Sequence, residues 1–293
     1  MKTAAKLIIG SVGSIGASIG LAVWSGSARW DSQTSQIVNK LLQGDSDEKQ
    51  ATVNLKEVEP LPPPVSRYFR LVLRERQPMI RSACITQSGE FRAGGVDAEW
   101  KPLEATQYIS AQPRGFVWDA SIRMAPMMKV RVRDSYIRGE GTMQAKLLSL
   151  VTVVDEHSKA ELNAGALQRY LAEAVWFPTS LLPSNGVMWS AIDDSRALAT
   201  VTDSGTTVSL EFRFNDIGKI ISVFTPGRYR EVSGRYELTP WEGHFRNYEE
   251  RDGMWIPTEA DVEWQLRDGN LPYWKGRIVQ VTYEFAPTDV SND

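Results

Sequence analysis

The chain has 293 residues, of which 42% are hydrophobic, enough to bury the core of one large all-β domain or two small ones, and one domain is the simpler expectation. A net charge of -3, a pI near 5.6 and the lack of a long lysine/arginine cluster exclude binding of nucleic acid by counterion release. The single cysteine, Cys84, excludes an intrachain disulfide.

Lys2 and Lys6 precede an uncharged run from Leu7 to Ala28, the order of a signal peptide or of a membrane anchor. Gly26 and Ala28 satisfy a small-x-small cleavage rule. Leu7 to Trp24, about 18 residues and roughly 27 Å as a helix, comes close to the thickness of a bilayer core, with Trp24 and Trp30 as interfacial anchors. Residues 1–30 are therefore expected to anchor the chain in a membrane with the domain outside the cytoplasm, or to be cleaved on export to the periplasm. Gly13, Gly16, Ala17 and Gly20 offer small faces for self-association of such helices. The glycines do not have GxGxxG spacing and follow no strand, so they make no phosphate cradle.

Residues 31–60 are polar and charged, end in a proline-rich stretch and read as a tether. The domain proper is expected at residues 61–288. It opens with a short helix from Val65 to Leu73 that plugs one end, with Arg67, Arg70 and Arg74 on its polar face. After Pro78 a two-residue period takes over. Phe116, Trp118, Ala120 and Ile122 alternate with polar residues, as do Val130 and Val132 with Lys129, Arg131 and Arg133. Turn signals at 125–126, 139–141, 203–205, 216–218, 252–253 and 268–269 favour a meander, and the count is roughly ten strands. A helix from Asn163, its cap, to Phe177 presents Leu167, Tyr170, Leu171, Ala174 and Val175 as one stripe. The fold expected is mainly β: a single antiparallel half-barrel whose concave side is covered by this helix.

The supply of catalytic side chains is thin. His157 and His244 lack zinc-site spacing, there is no GxSxG elbow and no P-loop lysine, so neither metal nor cofactor is expected. Carboxylates remain. Glu173 lies four residues after Arg169, an ordinary helical ion pair or, in a pocket, a holder of a polar headgroup. Asp119 after Trp118 and Glu242 after Trp241 are similar cases. Aromatic residues are abundant, with 10 tryptophans, and on a concave sheet they make apolar walls.

LPPPVSRYF at 61–69, QPRGFVWDA at 112–120, RYLAEAVWFPTSLLPSNGVMW at 169–189, TPWEGHFRNY at 239–248 and IPTEADVEW at 256–264 together resemble a bacterial family of uncharacterised proteins over residues 60–285. Ser180 stands where that family usually has alanine. A more distant, architectural likeness is to LolA/LolB-type lipoprotein carriers, open half-barrels whose helix-covered concave face holds acyl chains. That likeness implies a binding module for a hydrophobic or amphiphilic ligand such as a lipid. Arg169 and Glu173 are expected to address its headgroup, with Asp119 and Glu242 as further polar contacts; Tyr170, Trp176, Phe177, Trp189, Trp118 and Trp241 would form its walls. Two other readings stay open: a hydrolase of glycan or lipid pairing Glu173 with Asp119 or Glu242, and a structural module that binds a protein partner.

Overall fold

Period-two strands with short turns fold here into one antiparallel sheet. In the computed structural model, which describes the backbone of residues 2–43 and 52–287 and, before Gly20, the side chain of Ser18 alone, the described residues form thirteen strands. They are β1 (Ile80–Phe91), β2 (Lys101–Ser110), β3 (Gly115–Ala125), β4 (Met128–Ile137), β5 (Glu140–Leu147), β6 (Val151–His157), β7 (Val187–Ala191), β8 (Arg196–Asp203), β9 (Thr206–Phe214), β10 (Ile220–Val232), β11 (Arg235–Arg251), β12 (Met254–Leu266) and β13 (Gly269–Phe285). Their spatial order is β6-β5-β4-β3-β2-β1-β13-β12-β11-β10-β9-β8-β7. Two meanders therefore run outward from a central β1–β13 pair, and β6 and β7, consecutive in sequence, become opposite edges.

The strand count exceeds the expected ten because edge strands carry little burial pattern. Nearly all of β6 is exposed or half-buried, including Val151 and Val153, and β7 buries only Val187. Four hairpins close with two left-handed residues, Arg138–Gly139, Ser204–Gly205, Ser233–Gly234 and Asp252–Gly253. This turn matches the right-handed twist of paired strands.

Three helices complete the domain: α1 (Lys2–Leu42), α2 (Pro63–Val72) and α3 (Ala160–Glu173). α3 joins the two sheet edges and packs on β4 and β5 from one meander and on β9 and β10 from the other, so the sheet curls around it as a half-barrel. The N-cap position falls at Lys159, which makes no side-chain capping hydrogen bond, and not at Asn163. Asn163 sits inside it and accepts a hydrogen bond at Oδ1 from the Gly141 amide, 2.7 Å away. A Cβ on Gly141 would lie 2.8 Å from the Leu162 carbonyl oxygen, so glycine permits this close approach of helix to strand. Beyond Glu173 the chain continues in 3-10 turns to Asn185, with Pro178 and Pro183 each starting a turn. α2 buries Val65, Tyr68, Phe69 and Val72 and packs on β8 and β12.

The described parts of the stretch expected as a tether pack on the domain by one face. α1 continues through it to Leu42, and Trp30, Thr34, Val38 and Leu41, spaced by four, four and three residues, are buried on one helix face. They cover the convex side of β3, burying Val117 there while Trp118 faces the concave side. Val53 and Val58 join the main core. Residues 44–51, with the acidic run at Asp45–Glu48, lie outside the described residues. Trp30 is not an interfacial anchor: it is 1% exposed and donates from Nε1 to Asp119 at 2.9 Å. Trp24 and Leu21, on the same helix, are exposed. No helix among the described residues is long and apolar enough to cross a membrane; the side chains of the Leu7–Ala17 part of the expected anchor, with its small-residue faces, lie outside the described residues.

Candidate ligand-binding cavity

Inward-facing residues of nine strands, together with α3 and the turn after it, enclose a cavity of about 420 Å³, within the range of small-molecule sites. Its walls are mainly apolar: Trp118, Ile122 and Met124 from β3, Val130 and Val132 from β4, Ala145 from β5, Trp241 and Phe245 from β11, Val262 from β12, Tyr273 and Trp274 from β13, and Ala172 and Trp176 from the helical side. The aromatic rings hold one another. Trp176 meets Phe245 edge-on at 6.4 Å, and Tyr273, stacked on Trp264 at 5.7 Å, accepts a hydrogen bond from Trp241 Nε1 at 2.9 Å.

One polar cluster interrupts the apolar lining. Arg169 donates from Nε to Glu173 at 2.8 Å and from Nη1 to Asp134 at 2.6 Å. Burial works against its charge, but the two carboxylates more than offset this and raise the pKa of the guanidinium. Its plane also lies 4.9 Å from the ring centres of Phe116 and Trp118. The second Glu173 oxygen accepts from Gln107 Nε2 at 2.6 Å, Gln107 accepts from Gln87 at 3.2 Å, and Gln87 accepts from Trp118 Nε1 at 2.9 Å. The result is a continuous hydrogen-bonded line from Asp134 to Trp118, whose two ends line the cavity and whose glutamines are buried.

A second arginine, Arg228 on β10, also lines the cavity. β10 bulges between Thr225 and Arg228, so that Thr225 pairs with Trp241 and Arg228 with Thr239. The extra residue at Pro226–Gly227 shifts the alternation by one and turns Arg228 inward. Gln168 of α3 secures the bulge by donating to the Gly227 carbonyl at 3.2 Å.

Of the residues expected at a site, the structure brings Arg169, Glu173, Trp176, Trp118 and Trp241 together in the cavity. Tyr170 and Phe177 pack on each other at 5.3 Å in the core, where the Tyr170 hydroxyl donates to the Ser110 carbonyl at 3.2 Å. Trp189 belongs to a separate aromatic group with Phe69, Phe212 and Phe214. Asp119 and Glu242 have the opposite strand parity and lie on the convex face, outside the cavity. Asp119 receives Trp30, Thr34 and Arg131; Glu242 receives Arg213 at 2.7 Å and Gln265 at 2.5 Å. The sheet thus stands between these two carboxylates and Glu173.

Four polar residues escaped the sequence reading, Asp134 and Arg228 of the lining and Gln107 and Gln87 of the buried network joined to it. Asp134 continues the inward register of Val130 and Val132, and Gln107 that of Leu103 and Ala105; a polar residue in an inward register was the available signal. Gln87 sits beyond a register shift in β1. Arg228 follows Pro226–Gly227, and such a pair within a strand signals a bulge.

Elsewhere, a polar groove of about 510 Å³ is lined in part by Arg123, Lys129, Arg246, Glu259, Lys275 and Arg277. Arg246 is paired with Asp261 at 2.5 Å and Lys275 with Glu90 at 2.7 Å. Glu242, His244 and Glu263 each offer a metal-ligand atom within 4.8 Å of the others, but both Glu242 oxygens are already engaged by Arg213 and Gln265.

The fold and the cavity define an open antiparallel half-barrel with a helix over an apolar pocket. The chain belongs to the family described as "Family of unknown function (DUF6920)", which matches residues 59–283. Among solved structures it is similar to a LolA superfamily protein from Nitrosomonas europaea, at 11% identity and a TM-score of 0.38, over 80% of this chain and 96% of that one. It is also similar to a β-barrel-like protein of the domain of unknown function DUF1849 from Brucella abortus, at 9% identity and a TM-score of 0.23, over 71% of this chain and 99% of that one. No curated protein matches the sequence.

Proposed function

We propose that the protein is a binding module that holds a hydrophobic or amphiphilic ligand, such as a lipid, between the concave sheet and α3, without turnover. The observation that carries this reading is the cavity of about 420 Å³ with aromatic and aliphatic walls and one confined polar cluster. Transfer of an acyl chain from water into such walls is favourable by about 0.8 kcal/mol per buried methylene. Arg169 serves less as a free headgroup ligand than as the fixed centre of the polar wall, because both of its carboxylate partners already hold it. The hydrolase reading loses the pairs it was built on, since Asp119 and Glu242 are engaged on the other side of the sheet. Membrane association and self-association through the N-terminal segment, and presentation of the domain outside the cytoplasm, belong to the same proposal; exposed Leu21 and Trp24 on α1 support a contact with lipid.

The test is titration of the full chain with a fluorescent fatty acid. Saturable one-to-one binding is expected, displaced by unlabelled lipid. Replacing Ala172, a buried cavity-lining residue of α3, by Phe fills the space and should weaken binding at least tenfold, the equivalent of ~1.4 kcal/mol. Absence of saturable binding, or equal binding by a folded Ala172→Phe variant, would overturn the reading.

A further inference from the structure

We propose that the ligand of this cavity is an anionic amphiphile, an apolar chain ending in a carboxylate or phosphate, and that Arg228 and the Trp176 indole N–H bind its head. The inference rests on the binding reading above and adds to it the charge of the ligand and the residues that select it. Two side chains that line the cavity, Arg228 and Trp176, each carry a buried nitrogen, Nη1 and Nε1, with no hydrogen-bond partner among the described residues. Both are donors. A buried donor without a partner is costly, more so when it carries charge, and the group that relieves it is an acceptor, best of all an anion.

The two arginines of the cavity differ in kind. Arg169 has its charge answered twice, by Glu173 at 2.8 Å and Asp134 at 2.6 Å. Arg228 makes no ion pair among the described residues, and its Cζ lies 4.8 Å from the centre of the Trp241 ring. Burial lowers its pKa, an effect that Tyr273 opposes and Arg169 reinforces, and that Asp134 and Glu173 do not cancel. These carboxylates thus leave the charge short of compensation, and a ligand anion would supply it. Position agrees with charge. The β10 bulge turns this side chain inward, Gln168 ties the bulge to the covering helix, and apolar walls lie beyond, so a head bound here sends its tail along the tryptophans.

Calorimetric titration of the lipid-extracted full chain with dodecanoate, dodecyl phosphate and dodecanol separates the possibilities. The wild type should bind at least one of the two anions about 10-fold to 100-fold more tightly than dodecanol, the range expected for a hydrogen bond to a charged group. The anion preferred tells a carboxylate head from a phosphate head. Arg228→Met should bring the preferred anion down to the level at which the same variant binds dodecanol, with Arg228→Lys restoring part of the preference. Dodecanol bound as tightly as both anions by the wild type, or an anion preference undiminished in Arg228→Met, would overturn the inference and leave the binding reading standing. If none of the three binds, the binding reading itself falls and the inference with it.

Discussion

Arg169 illustrates how a single side chain organises the polar wall. Its pairing with Glu173 was legible in the sequence, because residues four apart share a helix face, but the partners that give the pair its setting come from distant strands. Asp134 on β4 and Gln107 on β2 reach it only after the sheet has formed. Breaking a buried pair by removing one partner costs far more than the pair contributes net, typically about 3 kcal/mol or more. Glu173→Ala leaves Arg169 with one carboxylate and Gln107 without its acceptor, so it is expected to lower unfolding stability by about 3 kcal/mol in urea titrations. Arg228→Met should behave in the opposite sense. Removing a buried charge that has no ion-pair partner among the described residues should leave the thermal midpoint of the empty protein equal to or above that of the wild type, and a marked drop would mean that Arg228 has a structural partner. The position of Arg228 was harder to read than that of Arg169, since a one-residue bulge reverses the face of everything that follows it.

At the scale of elements, α1 is where the sequence reading and the structure differ most. Residues 31–42 are mostly polar, which suits a tether, yet Trp30, Thr34, Val38 and Leu41 recur on one helical face and bury against β3. The pattern is sparse because a helix lying on the outside of a sheet needs only a narrow apolar stripe. Trp30 holds this contact, with Arg133 4.4 Å above its ring and Asp119 on its indole nitrogen. Trp30→Ala is expected to cost about 3 kcal/mol, as large-to-small changes in a core do. Hydrogen exchange should then show α1 from residue 30 onward losing protection while α3 keeps its own. Equal protection of α1 in the variant would mean that Trp30 does not secure it. The strands between turns were legible where one face is buried, as in β3 and β4; the edge strands β6 and β7 were not, because an exposed edge has no inside to mark.

Across the whole molecule, the chain folds outward from its middle pair. β1 and β13, just over 200 residues apart in register at Ser82 and Glu284, join the two meanders, and α3 spans between their free edges. This long-range closure is invisible to local periodicity, which is why fold class and covering helix could be anticipated while strand order could not. The same closure creates the cavity, since neither meander alone surrounds α3. A ligand that binds only the closed half-barrel stabilises it by mass action. At a concentration 100 times its dissociation constant, it should add about 2.7 kcal/mol to the unfolding free energy, visible as a rise in thermal midpoint that Ala172→Phe cuts to about half or less.

The most direct test of the central claim is native mass spectrometry of the full chain purified from a bacterial host, with solvent extraction and identification of whatever accompanies it. A stoichiometric amphiphile with an anionic head is expected, retained by the wild type and depleted in Ala172→Phe. An empty protein that also takes up nothing when mixed with a total lipid extract would contradict the claim.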